Sequence, residues 1–243
     1  GPMFVLAEKI LTGREPLPDD WQVDGTTGYD FLNDLTGLFI DGRRGRRLAG
    51  TYERFTGLTR SWDEVCRLSK RLIMNTAMAS ELAVLADALE RLSVRDRRWR
   101  DFTRRSLRDA IVALVTCFPV YRTYITARGF SERDAGVIDE AIACARRTNP
   151  ALEPTVFDFL RSVLLGEAPD REAALAFTMK LQQYTSPVQA KGVEDTAFYR
   201  YNVLLAHNEV GGEPSRVGRT PRQFHAAVSA RAERWPFTMT ATA

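Results

Sequence analysis

The sequence predicts a mainly α chain: a helical insertion region together with a few strands cut from an α/β barrel. Three observations lead there. From Ser61 onward, apolar residues recur at three- and four-residue intervals behind recognisable caps, which is the pattern of successive amphipathic helices. Strand-like runs are few and far apart, at residues 4–7, 119–125 and 237–243. Two of these runs stand at the two ends of the 243 residues, an arrangement expected when helices are inserted between pieces of a barrel.

The elements follow in order. Gly1-Pro2 ahead of Met3 reads as the scar of a tag-cleaving protease, so residues 1–3 are set aside. Phe4, Val5, Leu6 and Ala7 form an apolar run bounded by charge, predicted as a buried strand of the parallel type. Residues 12–30, dense in Gly, Pro and Asp, are predicted as a loop. Residues 4–41 are therefore assigned to a barrel strand and its loop, and residues 42–236 to the helical insertion.

Within the insertion, Ser61 and Glu64 spell a capping box. Val65, Leu68, Leu72, Ile73, Leu82, Leu85 and Leu89 then mark some 30 residues of helix. A second helix runs from about Asp101 to Phe118, with Leu107, Ile111, Leu114 and Val115 on one face and Pro119 beyond it. Residues 120–125, V-Y-R-T-Y-I, are β-rich and give the one internal strand candidate. Further helices are predicted to start at Ser131, near Thr155, near Asp170 and at Thr220-Pro221. Gly166 and Gly211-Gly212 act as stops. Residues 237–243 are predicted to begin another barrel strand.

Composition narrows the function classes. Hydrophobic residues make up 44% of the chain, enough for a sizeable core. Lys+Arg exceed Asp+Glu by 34 to 31, too small a surplus to imply nucleic acid or a membrane surface. The lysines are Lys9, Lys70, Lys180 and Lys191; all other basic positions are arginine, read as compositional bias of the source genome. Cys66, Cys117 and Cys144 are odd in number and widely spaced, which argues against a disulfide framework and fits a reducing cytoplasm. With His207 and His225 as the histidines, no metal or cofactor is expected. No apolar run approaches the roughly 20 residues of a membrane span.

Four stretches carry candidate chemistry. Glu8 sits at the carboxyl end of the first strand, where barrel enzymes place catalytic groups, although the same residue could mark the strand's exit into solvent. Residues 23–31, V-D-G-T-T-G-Y-D-F, offer backbone N–H groups, hydroxyls and an aromatic face to a sugar; on composition alone a turn with Thr26 or Thr27 as helix cap is the better explanation. Residues 190–202 crowd Lys191, Glu194, Asp195, Tyr199, Arg200 and Tyr201 together, suited to carbohydrate hydroxyls or to local ion pairs on a solvated helix. The arginine-rich residues 95–105 resemble a phosphate-binding stripe. There, however, Asp96 and Asp101 dilute the charge, while Trp99 and Phe102 suit a helix's buried edge. The basic run 42–47 and His225 read as a loop and a structural histidine.

The longest motifs add a resemblance. A-E-K-I-L at residues 7–11, R-E-P-L-P-D-D-W-Q-V-D-G-T-T-G-Y-D-F-L-N at 14–33, A-S-E-L at 79–82, F-P-V-Y-R-T-Y-I at 118–125, L-Q-Q-Y-T-S-P-V-Q-A-K-G-V-E-D-T-A-F-Y-R-Y-N at 181–202, N-E-V-G-G-E-P at 208–214 and F-H-A-A-V-S-A-R-A-E-R-W-P at 224–236 are together similar to the maltooligosyl trehalose synthases of the α-amylase superfamily. The resemblance runs from Phe4 to Ala243.

This resemblance implies a (β/α)8 barrel with a helical insertion. It also implies an intramolecular glucosyl transfer that turns the reducing-end α-1,4 linkage of a maltooligosaccharide into an α,α-1,1 linkage with retention. The superfamily uses an aspartate nucleophile, a glutamate acid/base and a third aspartate; Glu8 matches the acid/base glutamate. The nucleophile would precede Phe4 and the third carboxylate would follow residue 243, so this polypeptide by itself is expected to be inactive. Asp24, Thr26, Thr27, Tyr29 and Asp30 are implied to line the sugar subsites, with Lys191, Asp195, Tyr199, Arg200 and Tyr201 as a lid. The expected partner is maltodextrin, with no nucleic acid and no membrane, and with possible self-association through exposed strand edges. A non-catalytic helical interaction module that keeps the family's sequence is the alternative.

Overall fold

The computed structural model describes residues 3–13 and 15–240. Gly1 and Pro2, read as a tag scar, lie outside the described residues, as do the last three residues of the predicted terminal strand. Two short strands come first: β1, Leu6–Ala7, and β2, Gly25–Thr26. Nine α-helices follow among the described residues. They are α1 (Tyr29–Leu38), α2 (Gly45–Thr56), α3 (Trp62–Asn75), α4 (Ala79–Val94), α5 (Arg104–Thr116), α6 (Glu132–Thr148), α7 (Pro154–Leu164), α8 (Arg171–Gln189) and α9 (Pro221–Arg234). The chain is mostly helical, as predicted.

The residues divide into two compact units, one made of Gly1–Val65 with Phe198–Ala243 and the other of Cys66–Ala197. In the second, α5 is the central helix: Leu107 and residues 110–116 are all buried. Sequential helices α4 to α8 pack on their neighbours, and α8 returns against α4. Their shared core includes Leu82, Leu85, Ile111, Leu114, Phe157 and Phe177.

Most helix starts obey local capping chemistry, in which a short polar side chain takes up an otherwise orphan N–H. Thr103 accepts from Ser106 N–H, and Asp170 from Ala173 N–H. Ser61 with Glu64, Ser131 with Asp134, and Thr220 with Gln223 form full capping boxes. Gly166 adopts a left-handed φ of 69° just beyond α7.

The structure corrects five expectations. The helix expected behind Ser61 is two helices, α3 and α4, bent by 84°. At the break, both Thr76 N–H and Met78 N–H turn back to the Ile73 carbonyl. The basic run 42–47 is a 3₁₀ turn leading into α2, capped by Asp41, which accepts from Arg43 N–H. Residues 4–7 are less buried than predicted: Phe4 and Val5 are exposed. Cys117 and Cys144 form a disulfide with Cα atoms 5.8 Å apart, because α6 lies against α5; the odd count of cysteines concealed the pair.

The fifth concerns residues 119–125, which form no strand. Their hydrogen bonds go to side chains instead. Gln182 Oε1 accepts from Ile125 N–H at 2.7 Å and from the Thr123 hydroxyl at 3.0 Å. Gln182 Nε2 donates to the Ile125 carbonyl at 3.0 Å, and Asp134 accepts from Tyr124 N–H at 2.9 Å. A β-prone segment thus satisfies its backbone without a partner strand.

The arginine-rich stretch is absorbed by its own unit. Arg95 pairs with Asp170, Arg98 with Asp96, and Arg104 with Asp87. The Arg98 guanidinium holds the Asp96 carboxyl below the usual carboxylate range. Trp99 and Phe102 stack at 5.8 Å and both lean on Phe159.

Lys70 is a buried cation in the same unit. Its Nζ donates to the Phe118 carbonyl at 2.9 Å, and burial pushes its pKa down from 10.5 to about 8. Between those values the unfolded chain keeps a proton that the folded chain has lost, so stability rises with pH through that window. Below pH 8 the burial penalty is fully present, about 3 kcal/mol. A Lys70→Met variant should therefore show a stability difference from wild type that changes by that order between pH 7 and 10 in guanidinium melts. A difference constant with pH would refute the assignment.

Candidate active site

The candidate site is built where β1 ends, within the unit formed by both chain segments. β1 and β2 pair in parallel, Leu6 with Gly25 and Ala7 with Thr26. The pairing extends on both sides: Asp24 N–H donates to the Val5 carbonyl at 2.7 Å and Thr27 N–H to the Ala7 carbonyl at 3.3 Å. Among the described residues, Thr238 and Met239 add a third line: Met239 N–H donates to the Thr26 carbonyl at 3.1 Å. Gly25 is required here, since a Cβ on it would lie 2.5 Å from the Thr238 backbone.

This register carries Glu8 out at the strand's end, exposed to solvent. The Tyr29 phenol, from the first turn of α1, points a hydroxyl at Glu8 Oε1 across 3.5 Å. Just beyond Glu8, Lys9 turns inward to a buried ion pair with Glu15 at 2.7 Å. One neighbour thus faces the solvent and the next the interior, as the pleat demands.

The loop residues divide by role. The Asp24 carboxylate accepts from Val5 N–H at 2.8 Å and closes the end of the strand pair. The Thr26 hydroxyl donates to Asp30 at 2.9 Å and accepts from Gly28 N–H at 3.3 Å, shaping the entry to α1. Asp30 also receives Arg231 from α9 at 2.8 Å. These three side chains hold the loop together. The Thr27 Oγ1 is buried with no hydrogen-bond partner among the described residues, and Tyr29 faces Glu8. Glu8, Thr27 and Tyr29 are therefore the residues left with polar groups to offer at the strand's end.

The 190–202 cluster is divided between the two units. Lys191 and Asp195 lie in a π-helical stretch, Ala190–Ala197, that continues α8; both are exposed and 3.6 Å apart. Glu194 instead turns inward and accepts the Tyr121 hydroxyl. In the other unit, Tyr199 and Arg200 are exposed, while Tyr201 sets its ring edge-on to Trp62 at 5.5 Å. Burial pushes the Tyr201 phenol pKa up. Trp62 also stacks on Phe198 at 5.3 Å.

Sequence reasoning missed the charged frame beneath the site. Arg231 bridges Asp30 and Asp34, and Arg219 pairs with Asp34 at 2.5 Å. Beside it opens a polar cleft of about 780 Å³ bordered by Glu15, Asp34, His207, Arg216, Arg219 and Arg231. Burial pushes the His207 pKa down. Among the described residues no group of three or more His, Cys, Asp or Glu is placed to hold a metal ion. Nor is any single helix among them long and apolar enough to cross a membrane.

Along 98% of its length the chain is 31% identical to a putative maltooligosyl trehalose synthase of Mycobacterium tuberculosis strain H37Rv, over 240 residues. The chain is similar to one section of the maltooligosyl trehalose synthases. The solved maltooligosyltrehalose synthase of Arthrobacter ramosus superposes over 97% of the chain with a TM-score of 0.81 and 31% identity. A hypothetical maltooligosyl trehalose synthase of Sulfolobus tokodaii covers 99% of it, with a TM-score of 0.71 and 28% identity. In each case the chain spans 28% of the synthase's length. No family model matches the chain.

Proposed function

We propose that this chain supplies part of the active site of a maltooligosaccharide isomerase, with Glu8 as its acid/base. What supports the reading is a carboxylate at the carboxyl end of a parallel-paired strand, faced by a phenol, in a chain similar along its length to trehalose-forming synthases. The parent would be a retaining (β/α)8 enzyme of the α-amylase superfamily acting on maltodextrins.

In this scheme Glu8 gives its proton to the O4 of the reducing-end glucose as the bond from that oxygen to the neighbouring sugar's C1 breaks. A nucleophilic aspartate from elsewhere in the parent holds that C1 covalently, with the two carboxyl groups roughly 5–5.5 Å apart. The released glucose stays in place and presents its own anomeric hydroxyl. Glu8, now a carboxylate, takes that proton as the new C1–O1 bond forms. Water must be kept out, because a water at the intermediate yields hydrolysis. Tyr29 and Thr27 hold the glucose and exclude water; Lys191 and Asp195 of the helical unit, and separately Tyr199, Arg200 and Tyr201, are further groups offered to sugar.

The test is product analysis with maltopentaose. The full-length enzyme should form trehalose-capped product, and Tyr29→Ala with Tyr201→Ala should raise the share of free glucose severalfold. The 243-residue polypeptide should form none, and in isolation the side of β1 away from β2 invites pairing with a second copy. An unchanged isomerisation-to-hydrolysis ratio in both variants would rule out a water-excluding role for the two phenols. Any trehalose-capped product from the 243-residue chain would refute its inactivity.

A further inference from the structure

The passage from α8 into the π-helical stretch is held by contacts that the proposed reaction does not use. Pro187 stands inside α8 and has no N–H, so the helix loses a rung one turn before Ala190. The Thr196 hydroxyl then caps the Lys191 carbonyl at 2.7 Å. Gly192 sits so close to α3 that a Cβ on it would lie 2.9 Å from the Lys70 Cα. Lys70 is itself tied to the Phe118 carbonyl, and three residues later Tyr121 donates its hydroxyl to Glu194. A second tie runs from the Ser186 hydroxyl to the Tyr121 carbonyl at 3.4 Å.

We propose that Tyr121 and Glu194 are positioning residues. Their hydrogen bond, together with the seat of Gly192 on Lys70, fixes the π-helical register that presents Lys191 and Asp195 side by side to sugar. The physical reason is that π-helical turns are rare, occur mostly as single turns within α-helices, and persist only where surroundings hold them. With Glu194 drawn inward, Lys191 has Asp195 as its i,i+4 partner, and the pair stays at the surface. If the stretch relaxed toward an α-helical register, Glu194 would be released and Lys191 would no longer be held in one orientation. The inference rests on the reading that Lys191 contacts substrate.

The experiment combines hydrogen exchange on the 243-residue chain with product analysis on the full-length enzyme. Tyr121→Phe keeps the ring and removes the hydroxyl. It should speed exchange of the amides in 190–197 about tenfold while leaving those of α5 unchanged. In the full-length enzyme it should raise the KM for maltopentaose and the hydrolysed fraction severalfold. Glu194→Gln, whose amide oxygen can still accept the phenol, should leave both near wild type, whereas Glu194→Ala should behave like Tyr121→Phe. Unchanged exchange in Tyr121→Phe overturns the proposal. So does faster exchange with an unchanged KM and product ratio, provided Lys191→Ala changes them. If Lys191→Ala itself changes neither, the substrate reading of Lys191 falls and takes the proposal with it.

Discussion

Glu8→Gln in the full-length enzyme is expected to lower kcat for isomerisation by about 10²–10⁴-fold, the usual worth of a positioned general acid–base. Gln keeps the shape and the hydrogen bond from Tyr29 but can neither give nor take the proton. KM should move little, because Glu8 lies at the strand's exposed end and the loop is held by other residues. A glycosyl fluoride, whose leaving group needs little proton help, should narrow the deficit in the first step. Steady-state product formation from maltopentaose and from the fluoride reads both effects. A loss of less than tenfold on maltopentaose would remove Glu8 from the acid/base role.

Gln182→Leu should cost the helical unit about 3–5 kcal/mol, the sum of several buried groups each losing about 1–3 kcal/mol when left unpaired. Gln182 is 3% exposed and holds Thr123 and both backbone groups of Ile125. Leu fills a similar volume, so a cavity does not explain the loss. Thr123→Val removes one of the same hydrogen bonds and should cost about 1 kcal/mol. Denaturant melts of the two variants give the comparison. A Gln182→Leu loss near that of Thr123→Val would show that residues 120–125 find their hydrogen bonds elsewhere.

The helices were legible wherever their starts are decided within four residues. Ser61, Ser131, Asp170 and Thr220 could be read as caps because the donors they satisfy lie two or three positions on. Breaks without a marker were not legible: residues 75–78, N-T-A-M, contain neither Gly nor Pro, yet α3 ends and α4 begins there. Residues 120–125 misled for the opposite reason. Their β-branched and aromatic side chains suit a strand, but a buried glutamine almost 60 positions later supplies the partner.

At the candidate site, Glu8 and the loop 23–31 could be singled out because the motif is continuous. The division of labour within it was not readable. Whether Thr26 and Asp30 face a ligand or hold the fold depends on Arg231 and Thr238, each more than 200 positions away. Likewise, Glu194 looks equivalent to Asp195 in the sequence. A tyrosine 73 residues earlier draws it inward.

The division into units has a consequence for synthesis on the ribosome. The helical unit is one continuous stretch, Cys66–Ala197, and its helices pack mainly on sequence neighbours, so it can condense while the remainder is still being translated. The unit bearing Glu8 cannot. Its first segment emerges early but must wait for Arg219, Arg231 and Thr238, whose partners Asp34, Asp30 and Thr26 were made about two hundred residues before. During that interval the exposed Phe4 and Val5 and the end of β1 have no Thr238 line beside β2, and this is the period in which a nascent chain most needs shielding from its neighbours.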